Sequence, residues 1–548
     1  MGVVTVIAVG GGVFQRLDDQ GEPLAPPAAV GDVAELEKER PRWLWGAAEQ
    51  VYPELLHAGV RLRRCHDLEL VEALLLAHEG DYGAPRSVAA AHARITGDPV
   101  PLDQPARQAD PPGLGQATLF DDTVAPPDLS LLIRVYQDQL ARIGKVDHPG
   151  RFRLLVAAES ACALIAAEMG HDGLPWRADV HDRILVDLLG APVGGVPRRL
   201  AELAVQIAIA LDSPGLHPDS PAELRKALRR AGIEVPNTRS WTLKQVDHPV
   251  VPALVEYREL YRIWTAHGWS WQEQWVRNGR FRPAYVPGGV VSGRWATRGG
   301  GALQIPKAVR GAVHADPGWK LVVADAGQLE PRILAAVSED DGLGRAAAGG
   351  DLYAALAAES FDGDRARAKL ALLGAMYGQT GGAAAPALAA LRGSYPQAWA
   401  YVESAARTGE TGGLVRSWLG RTCPPSSLDI GEMDPALLEG GAEPEERKRG
   451  ASERARGRFT RNFVIQATAA EWAATLLALT RDALWGKTAK MVFFQHDEVI
   501  VHCPQEEAQA VVHALHAAAQ RTGELLFGNS PVRFPLNIAV VDSYAEAK

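Results

Sequence analysis

Two strand-like runs in this chain end on carboxylates. In MVFFQHDEVIV (491–501), His496, Asp497 and Glu498 interrupt β-branched and aromatic residues that would otherwise bury themselves in a sheet. Bare charge is costly to bury, so these acids must be solvated at a hairpin tip, paired, or bound to a cation. A partner stands at the end of WKLVVAD (319–325), where Asp325 is followed by Gly327, Gln328 and Glu330. An Asp at a strand end can also simply cap the next helix. If the two ends converge, Asp325 and Asp497 could hold two Mg²⁺ ions, which at a spacing of about 3.5–4 Å activate an attacking oxygen and stabilise a leaving one. Mg²⁺ needs only one or two protein carboxylates when substrate phosphates complete its shell.

Two helical stripes lie between these ends. In RARAKLALLGAMYG (365–378), Arg365, Lys369, Leu373 and Tyr377 recur every four residues and share one face. That face, cationic at one end and aromatic at the other, suits a nucleoside triphosphate. It would equally suit an amphipathic helix with snorkelling cations. In GRFTRNFVIQATAAEW (457–472), Arg458, Asn462 and Gln466 follow the same spacing and offer donors to a nucleic-acid backbone or minor groove. Arg447, Lys448, Arg449, Arg454, Arg456 and Arg461 lie nearby, most of them expected to be solvated.

The elements that must position these residues belong to a chain of 548 residues, long enough for two or more domains. A net charge of −9 argues against a surface that is basic all over and leaves room for a local cationic groove. Four scattered cysteines with no CxxC suggest neither a zinc ribbon nor a disulfide scaffold. The start lacks the charged region of a signal peptide, and no apolar run reaches the ~20 residues that span a bilayer. No membrane association is expected, and the compartment is the cytoplasm. VVTVIAV (3–9) reads as a strand, and RPRWLWGAAEQVYPELLHAG and LELVEALLLAHEG as helices. The Pro/Asp-rich stretch 97–128 reads as a flexible linker. Helices such as FRLLVAAESACALIAAEMGHDG and VPALVEYRELYRIWTAHG follow, strands return at 319–325 and 491–501, and 424–452 reads as a second flexible insert.

Taken together, SGRWATRGGGALQIP (292–306), VVADAGQLEPRILAAVSED (322–340), RARAKLALLGAMYG, RNFVIQATAAEW and FQHDEVIV resemble, in order, five segments of the family A DNA polymerases, the bacterial DNA polymerase I type. The resemblance implies an α/β multidomain protein: an RNase H-like, 3′–5′ exonuclease-type domain over 1–170, then a right-hand polymerase domain of palm, thumb and fingers over 171–548. It implies template-directed addition of dNTPs to a primer 3′-OH by two-metal-ion nucleotidyl transfer, in repair or gap filling. Asp325, Asp497 and the backbone carbonyl of Ala326 would hold two Mg²⁺ ions, with Mn²⁺ an alternative, and Glu498 would assist. Arg365 and Lys369 would bind the triphosphate, with Lys369 a proton donor to pyrophosphate. Leu373, Tyr377, Gln328 and Tyr353 would line the dNTP pocket, and Glu330 would gate against a ribose 2′-OH. Arg294, Arg458, Asn462, Gln466 and His496 would touch primer–template DNA. The protein would be a nucleoid-associated monomer.

Three positions depart from the family pattern: Ala326 and Leu373 replace aromatics, and Tyr353 stands where a phosphate-contacting His is usual. They predict retained catalysis with weaker dNTP binding. The N-terminal region departs further. VGGGVFQRLDDQGE offers no Asp-x-Glu after the first strand, and AAESACAL puts Ser160 and Cys162 where acids are expected. This predicts a degenerate exonuclease-like domain. In the linker, Gln116, Leu119 and Phe120 resemble the peptide by which bacterial polymerases dock on the sliding clamp. The alternatives are a bifunctional 3′–5′ exonuclease/polymerase, a non-catalytic primer–template binding protein, and a single-subunit RNA polymerase, against which Glu330 argues.

Overall fold

The computed structural model describes residues 6–10, 12–104, 128–235, 237–238, 240–301, 303, 305–378, 385–425 and 449–547. The clamp-type peptide Gln116, Leu119, Phe120 and most of both expected inserts lie outside the described residues. Residues 449–452, assigned above to the second insert, open a long helix instead.

The N-terminal sheet has five strands, β1 (Val6–Gly10), β2 (Val13–Leu17), β3 (Ala28–Ala29), β4 (Arg42–Trp45) and β5 (Cys65–Asp67), in the order β3-β2-β1-β4-β5. The first three are antiparallel, and β1, β4 and β5 run parallel. Alternation sorts the side chains onto two buried faces. Ile7, Trp43 and Trp45 pack with Tyr52 of helix Ala48–His57 and with Leu164. Val6, Ala8 and Leu44 pack with Leu132 and Tyr136 of helix Leu129–Ile143. This corrects the helix expected from residue 40 onward. RWLW is a strand because its Trp residues recur with period 2, and the helix starts only at Ala48, after Gly46.

Helix Pro149–Asp172 belongs to both halves of the chain. Ala163 and Leu164 close the N-terminal sheet, while Phe152, Leu155, Cys162, Ile165 and Met169 enter the main core with the polymerase-like elements. The boundary expected at 170/171 therefore falls at the end of a shared helix. Two buried ion pairs join the halves. Glu159 Oε2 accepts from Arg421 at 2.7 Å. Glu168 accepts from Arg481 at 2.6 and 2.8 Å and from the Tyr52 hydroxyl at 2.6 Å. Burial pushes the Glu168 carboxyl up, but the Arg481 charge and these hydrogen bonds outweigh it and hold it below the usual range.

The second sheet carries the candidate site. Its four strands, all antiparallel, lie in the order Lys490–Gln495, Glu498–Pro504, Trp319–Ala326, Leu536–Val541. The last escapes sequence reading because only Leu536 of its residues is buried, so its apolar signal is weak. Helix Arg449–Ala483 runs through the core, and its segment Glu453–Ala483 is long and apolar enough to cross a membrane. Against the expectation that no such run exists, its small residues (Ala467, Ala469, Ala473, Ala474) raise the hydropathy. Their role is close packing, since 83% of its most apolar window is buried in protein.

Arg481→Met, which strands the buried Glu168, is expected to destabilise the protein by about 3–5 kcal/mol, with Arg481→Met/Glu168→Met recovering part of the loss. Urea unfolding followed by tryptophan fluorescence checks this; equal midpoints for parent and single variant would contradict it. Because Glu168 titrates below its unfolded value of about 4.3, its contribution is present above that pH and is lost as the pH falls further.

Candidate active site

His496, Asp497 and Glu498 sit on a hairpin. Gln495 pairs with Glu498, leaving His496 and Asp497 as the turn. His496 adopts φ 56°, as tight hairpin turns between twisted strands require. Antiparallel register sets Asp325 opposite Glu498 on one side and Asn537 on the other. The Ala326 N–H donates to the Asp497 carbonyl at 3.1 Å. Asp325 and Asp497 are thereby brought to the same end of adjacent strands, with the Ala326 backbone between them. Glu498 is different: it is 3% exposed and accepts a short hydrogen bond from the Tyr544 hydroxyl. Burial and the Glu498 charge push the Tyr544 pKa up, so this hydroxyl remains a donor.

Beyond Ala326 the chain turns sharply. Gln328, at φ 57°, opens helix Leu329–Ser338. One turn on, Arg332 is fully buried and, among the described residues, meets no carboxylate. Its guanidinium donates to the carbonyls of Ala347 and Arg533 at 2.8 Å, of Gly327 and Gly349 at 3.2 Å, and of Gly350, and to Gln328 Oε1 at 3.3 Å. Burial holds its pKa below the usual guanidinium range.

The first stripe forms helix Arg365–Tyr377, as expected. Arg365 lies 5.5 Å and the Lys369 ammonium 6.0 Å from the ring of Tyr353, which is buried and pushed up to about 12 by burial and then by the Glu330 charge. At the other end, the Tyr377 hydroxyl donates to Glu330 Oε2 at 2.7 Å, and Arg294 ion-pairs with Glu330 Oε1. Partial burial, with the Arg294 charge added, holds His496 below the usual imidazole range. Arg294, Glu330 and Tyr377 thus form one contact group, and Arg365, Lys369 and Tyr353 another, at opposite ends of helix Arg365–Tyr377. Leu373 is half-buried and packs on the main core, and no polar contact ties it to the others.

The second stripe lies on the long helix. Arg458 is exposed and packs under Gly378, whose φ of 69° and whose Cβ position, 2.9 Å from Arg458 Cγ, both demand glycine. The amide oxygens Asn462 Oδ1 and Gln466 Oε1 are buried with no hydrogen-bond partner among the described residues. Such an orphan costs about 1–3 kcal/mol, which a donor on a bound nucleic acid can offset. Two neighbours expected to be solvated are structural instead. Arg461 is buried against Glu403 and the Ala375 carbonyl, and Arg456 against the Pro424 carbonyl, because the helix carries these positions inward. Arg447 and Lys448 lie outside the described residues.

Hard oxygen donors at two adjacent strand ends fit Mg²⁺ better than softer metals. Among the described residues no group of three or more His, Cys, Asp or Glu side chains is arranged to hold a metal. Two carboxylates and a carbonyl would therefore need substrate oxygens to complete a shell.

In the N-terminal half, Ser160 and Cys162 are buried: the Ser160 hydroxyl accepts from the Asp67 N–H, and the Cys162 side chain is fully enclosed. A cavity of about 740 Å³ opens at the C-terminal ends of β4 and β5, lined by Glu49, Asp67 and Glu69 and by Arg282, Arg298 and Tyr285. An Asp-x-Glu does occur here, Asp67–Glu69, but after the last strand. Asp67 spends both oxygens on the N–H groups of Ala48 (2.7 Å) and Leu70 (3.0 Å), and Glu49 pairs with Arg298 at 2.8 Å. Burial, then the Asp67 charge, pushes Glu69 up to about 7. Asp67 and Glu49 are thus engaged in structure, and Glu69 is held above the usual carboxylate range.

Sequence reading missed Arg332, Asp351 and Tyr544. The first stands within the quoted segment but carries no signal of its burial. Asp351, in GGDLY, reads as a helix cap, and it does cap helix Leu352–Ser360. Tyr544 comes from a C-terminal turn whose contact with Glu498 only the tertiary fold creates.

The family model described as DNA polymerase family A matches residues 197–545. DNA polymerase I, thermostable, of Thermus aquaticus is 25% identical over 406 residues, 70% of this chain and 43% of the relative. DNA polymerase I of Deinococcus radiodurans is 22% identical over 545 residues, 90% of this chain and 54% of the relative. The chain thus spans about half the length of these curated relatives. Among solved structures, the POL domain of Pol1 from M. smegmatis, in complex with DNA primer-template and dNTP, matches with a TM-score of 0.69 and 16% identity. That match covers 100% of this chain and 96% of the other, so the two share a fold.

Arg332→Met would leave several buried carbonyls without a donor and is expected to destabilise the protein by at least about 3 kcal/mol. An unchanged urea midpoint would mean that these carbonyls find other partners.

Proposed function

The chain belongs to DNA polymerase family A, and on that premise we propose that it is a template-directed DNA polymerase that extends a primer 3′-OH with dNTPs, in repair or gap filling. The observation that carries the reading is the meeting of Asp325 and Asp497 at adjacent strand ends, with the helix of Arg365 and Lys369 tied through Tyr377 to Glu330 just beyond Asp325. A protein that only bound DNA would gain nothing from carboxylates set against phosphates.

The family's chemistry uses divalent metal ions; we assign two Mg²⁺ ions to Asp325, Asp497 and the Ala326 carbonyl, with Glu498 behind them. When bound, such ions favour the ionised 3′-OH and stabilise the departing pyrophosphate. The chain's own residues do the rest. Arg365 and Lys369 neutralise the triphosphate and orient its α-phosphorus in line with the primer oxygen, and Lys369 supplies a proton to pyrophosphate. Glu330, pinned between Arg294 and Tyr377, occupies the space a ribose 2′-OH would need. Gln328 lies beside the sugar, Leu373 and Tyr377 line the base-pair pocket, and Tyr353 backs the phosphate cations. Arg294, Arg458, Asn462, Gln466 and His496 hold the primer–template. The N-terminal domain acts as a scaffold without nuclease activity, Gln116, Leu119 and Phe120 dock on a sliding clamp, and the protein works as a monomer at the nucleoid.

Primer extension with Mg²⁺ and dNTPs is expected to proceed with the parent chain and to fall at least about 10³-fold in Asp497→Asn, the scale of losing a main electrostatic group. A parent that binds primer–template without extending it would identify a binding protein, and primer shortening without dNTPs would identify an active proofreading enzyme. Glu330→Ala is expected to extend with rNTPs where the parent does not; equal discrimination would place the ribose gate elsewhere.

A further inference from the structure

The phosphate side of the pocket already contains an anion. Asp351 Oδ2 accepts from Arg365 Nε at 2.9 Å. Its other oxygen, Oδ1, caps the next helix by accepting from the Ala354 N–H at 3.1 Å and also accepts from Gln328 Nε2 at 2.7 Å. Gln328 is held in turn, because its Oε1 accepts from the Leu352 N–H at 2.9 Å and from Arg332 at 3.3 Å. A capping aspartate needs only one oxygen for its helix. The second, turned onto a cation that the sequence assigns to phosphate, calls for another explanation.

Burial pushes the Asp351 carboxyl up, but the hydrogen bonds from Gln328 and Arg365 outweigh it and hold the group at about 2, so it is anionic at any working pH. The side chains of Arg365 and Asp351 are 54% and 42% exposed, and a pair so open to water exchanges readily with another anion. Lys369, by contrast, meets only the Tyr353 ring and has no carboxylate partner among the described residues. The two cations are therefore inequivalent before nucleotide arrives: one is held, the other open.

We propose that Asp351 is a positioning residue that holds the Arg365 guanidinium in the place of phosphate oxygens and yields it to an incoming triphosphate, so that it sets the affinity of the pocket for nucleotide. The inference rests on the polymerase reading for its ligand, a nucleoside triphosphate, and on the ion pair itself for its mechanism. The held state keeps Arg365 oriented and tethered through Asp351 to Gln328, at the edge of the metal-binding strand. A triphosphate must displace the carboxylate, and its γ- and β-oxygens, carrying more charge, win the exchange. A lone orthophosphate gains less from it.

The test is Asp351→Asn, which keeps an oxygen for the helix cap and for Gln328 while removing the charge, with Asp351→Ser as a second capping variant. Asp364→Asn is the control: it removes the same charge from the residue next to Arg365, where Asp364 caps the Arg365 helix without pairing with the guanidinium. Binding of sodium tripolyphosphate and of dATP is measured by calorimetry, alongside KM and kcat for primer extension. Asp351→Asn is expected to tighten tripolyphosphate and dATP binding about two- to fivefold, the range of an exposed ion pair, and to lower KM with little change in kcat. Asp364→Asn is expected to leave both near the parent values. Unchanged or weaker binding in Asp351→Asn, or equal tightening in Asp364→Asn, overturns the proposal. The polymerase reading fails separately, if the parent chain does not extend primers; the tripolyphosphate measurement still decides whether Asp351 competes for Arg365.

Discussion

The buried guanidinium of Arg332 is the constraint on which the candidate site depends. A cation taken fully out of water must be surrounded by acceptors, and here these are mostly backbone carbonyls from three separate segments. One segment leaves the Asp325 strand at Gly327, one leads at residues 347–350 to the helix before Arg365, and one enters the last strand at Arg533. Carbonyls cannot rotate away as a carboxylate side chain can, so five hydrogen bonds from one planar group to backbone carbonyls fix three backbone paths together. The distance between the carboxylates of the sheet and the cations of the helix is thereby a property of the fold rather than of flexible side chains.

A second constraint ties the two halves of the chain. Glu159 and Arg421 form their buried pair against Gly288 and Gly293. A Cβ at Gly288 would lie 2.1 Å from Glu159 Oε1, and one at Gly293 2.2 Å from Arg421 Nε. The segment leading to Arg294 therefore approaches as closely as backbone allows, and its route is set by a helix from the N-terminal half. The N-terminal half thereby takes part in holding the segment that carries Arg294. Glu159, Cys162, Ile165 and Glu168 face the polymerase-like core from the same helix whose Ala163 and Leu164 close the N-terminal sheet.

What the sequence discloses follows from how local its signals are. Asp325 and Asp497 announce themselves because each breaks an apolar run at a strand end, and their convergence needs only the register of one sheet. Arg365, Lys369 and Tyr377 are legible from helical spacing alone. The strand Leu536–Val541, half exposed, has no such contrast. RWLW is misread because four residues between turns are too few to separate period 2 from period 3.6 in an apolar context. Arg456 and Arg461 look solvated in sequence and are not, since burial of a cation depends on acceptors that only the fold brings close. The same holds for Arg332, Asp351 and Tyr544.

An acidic protein must keep its cations from collapsing onto its own carboxylates in the wrong geometry. This chain, at net charge −9, does so by choosing the partners. Arg294 is matched with Glu330, Arg365 with Asp351 and Arg461 with Glu403, each pair positioned by a helix or a turn. The pairs differ in burial, and burial decides which can exchange. Arg461 is 8% exposed and bonded to a backbone carbonyl, so it stays where it is. Arg365 is 54% exposed and released at little cost, while Arg294, at 30%, lies between. The more water a pair sees, the less its separation costs, so the pairs grade from fixed scaffold to exchangeable surface contact. Positive charge around the candidate site is thus held largely in pairs, and burial sets how firmly each pair is held.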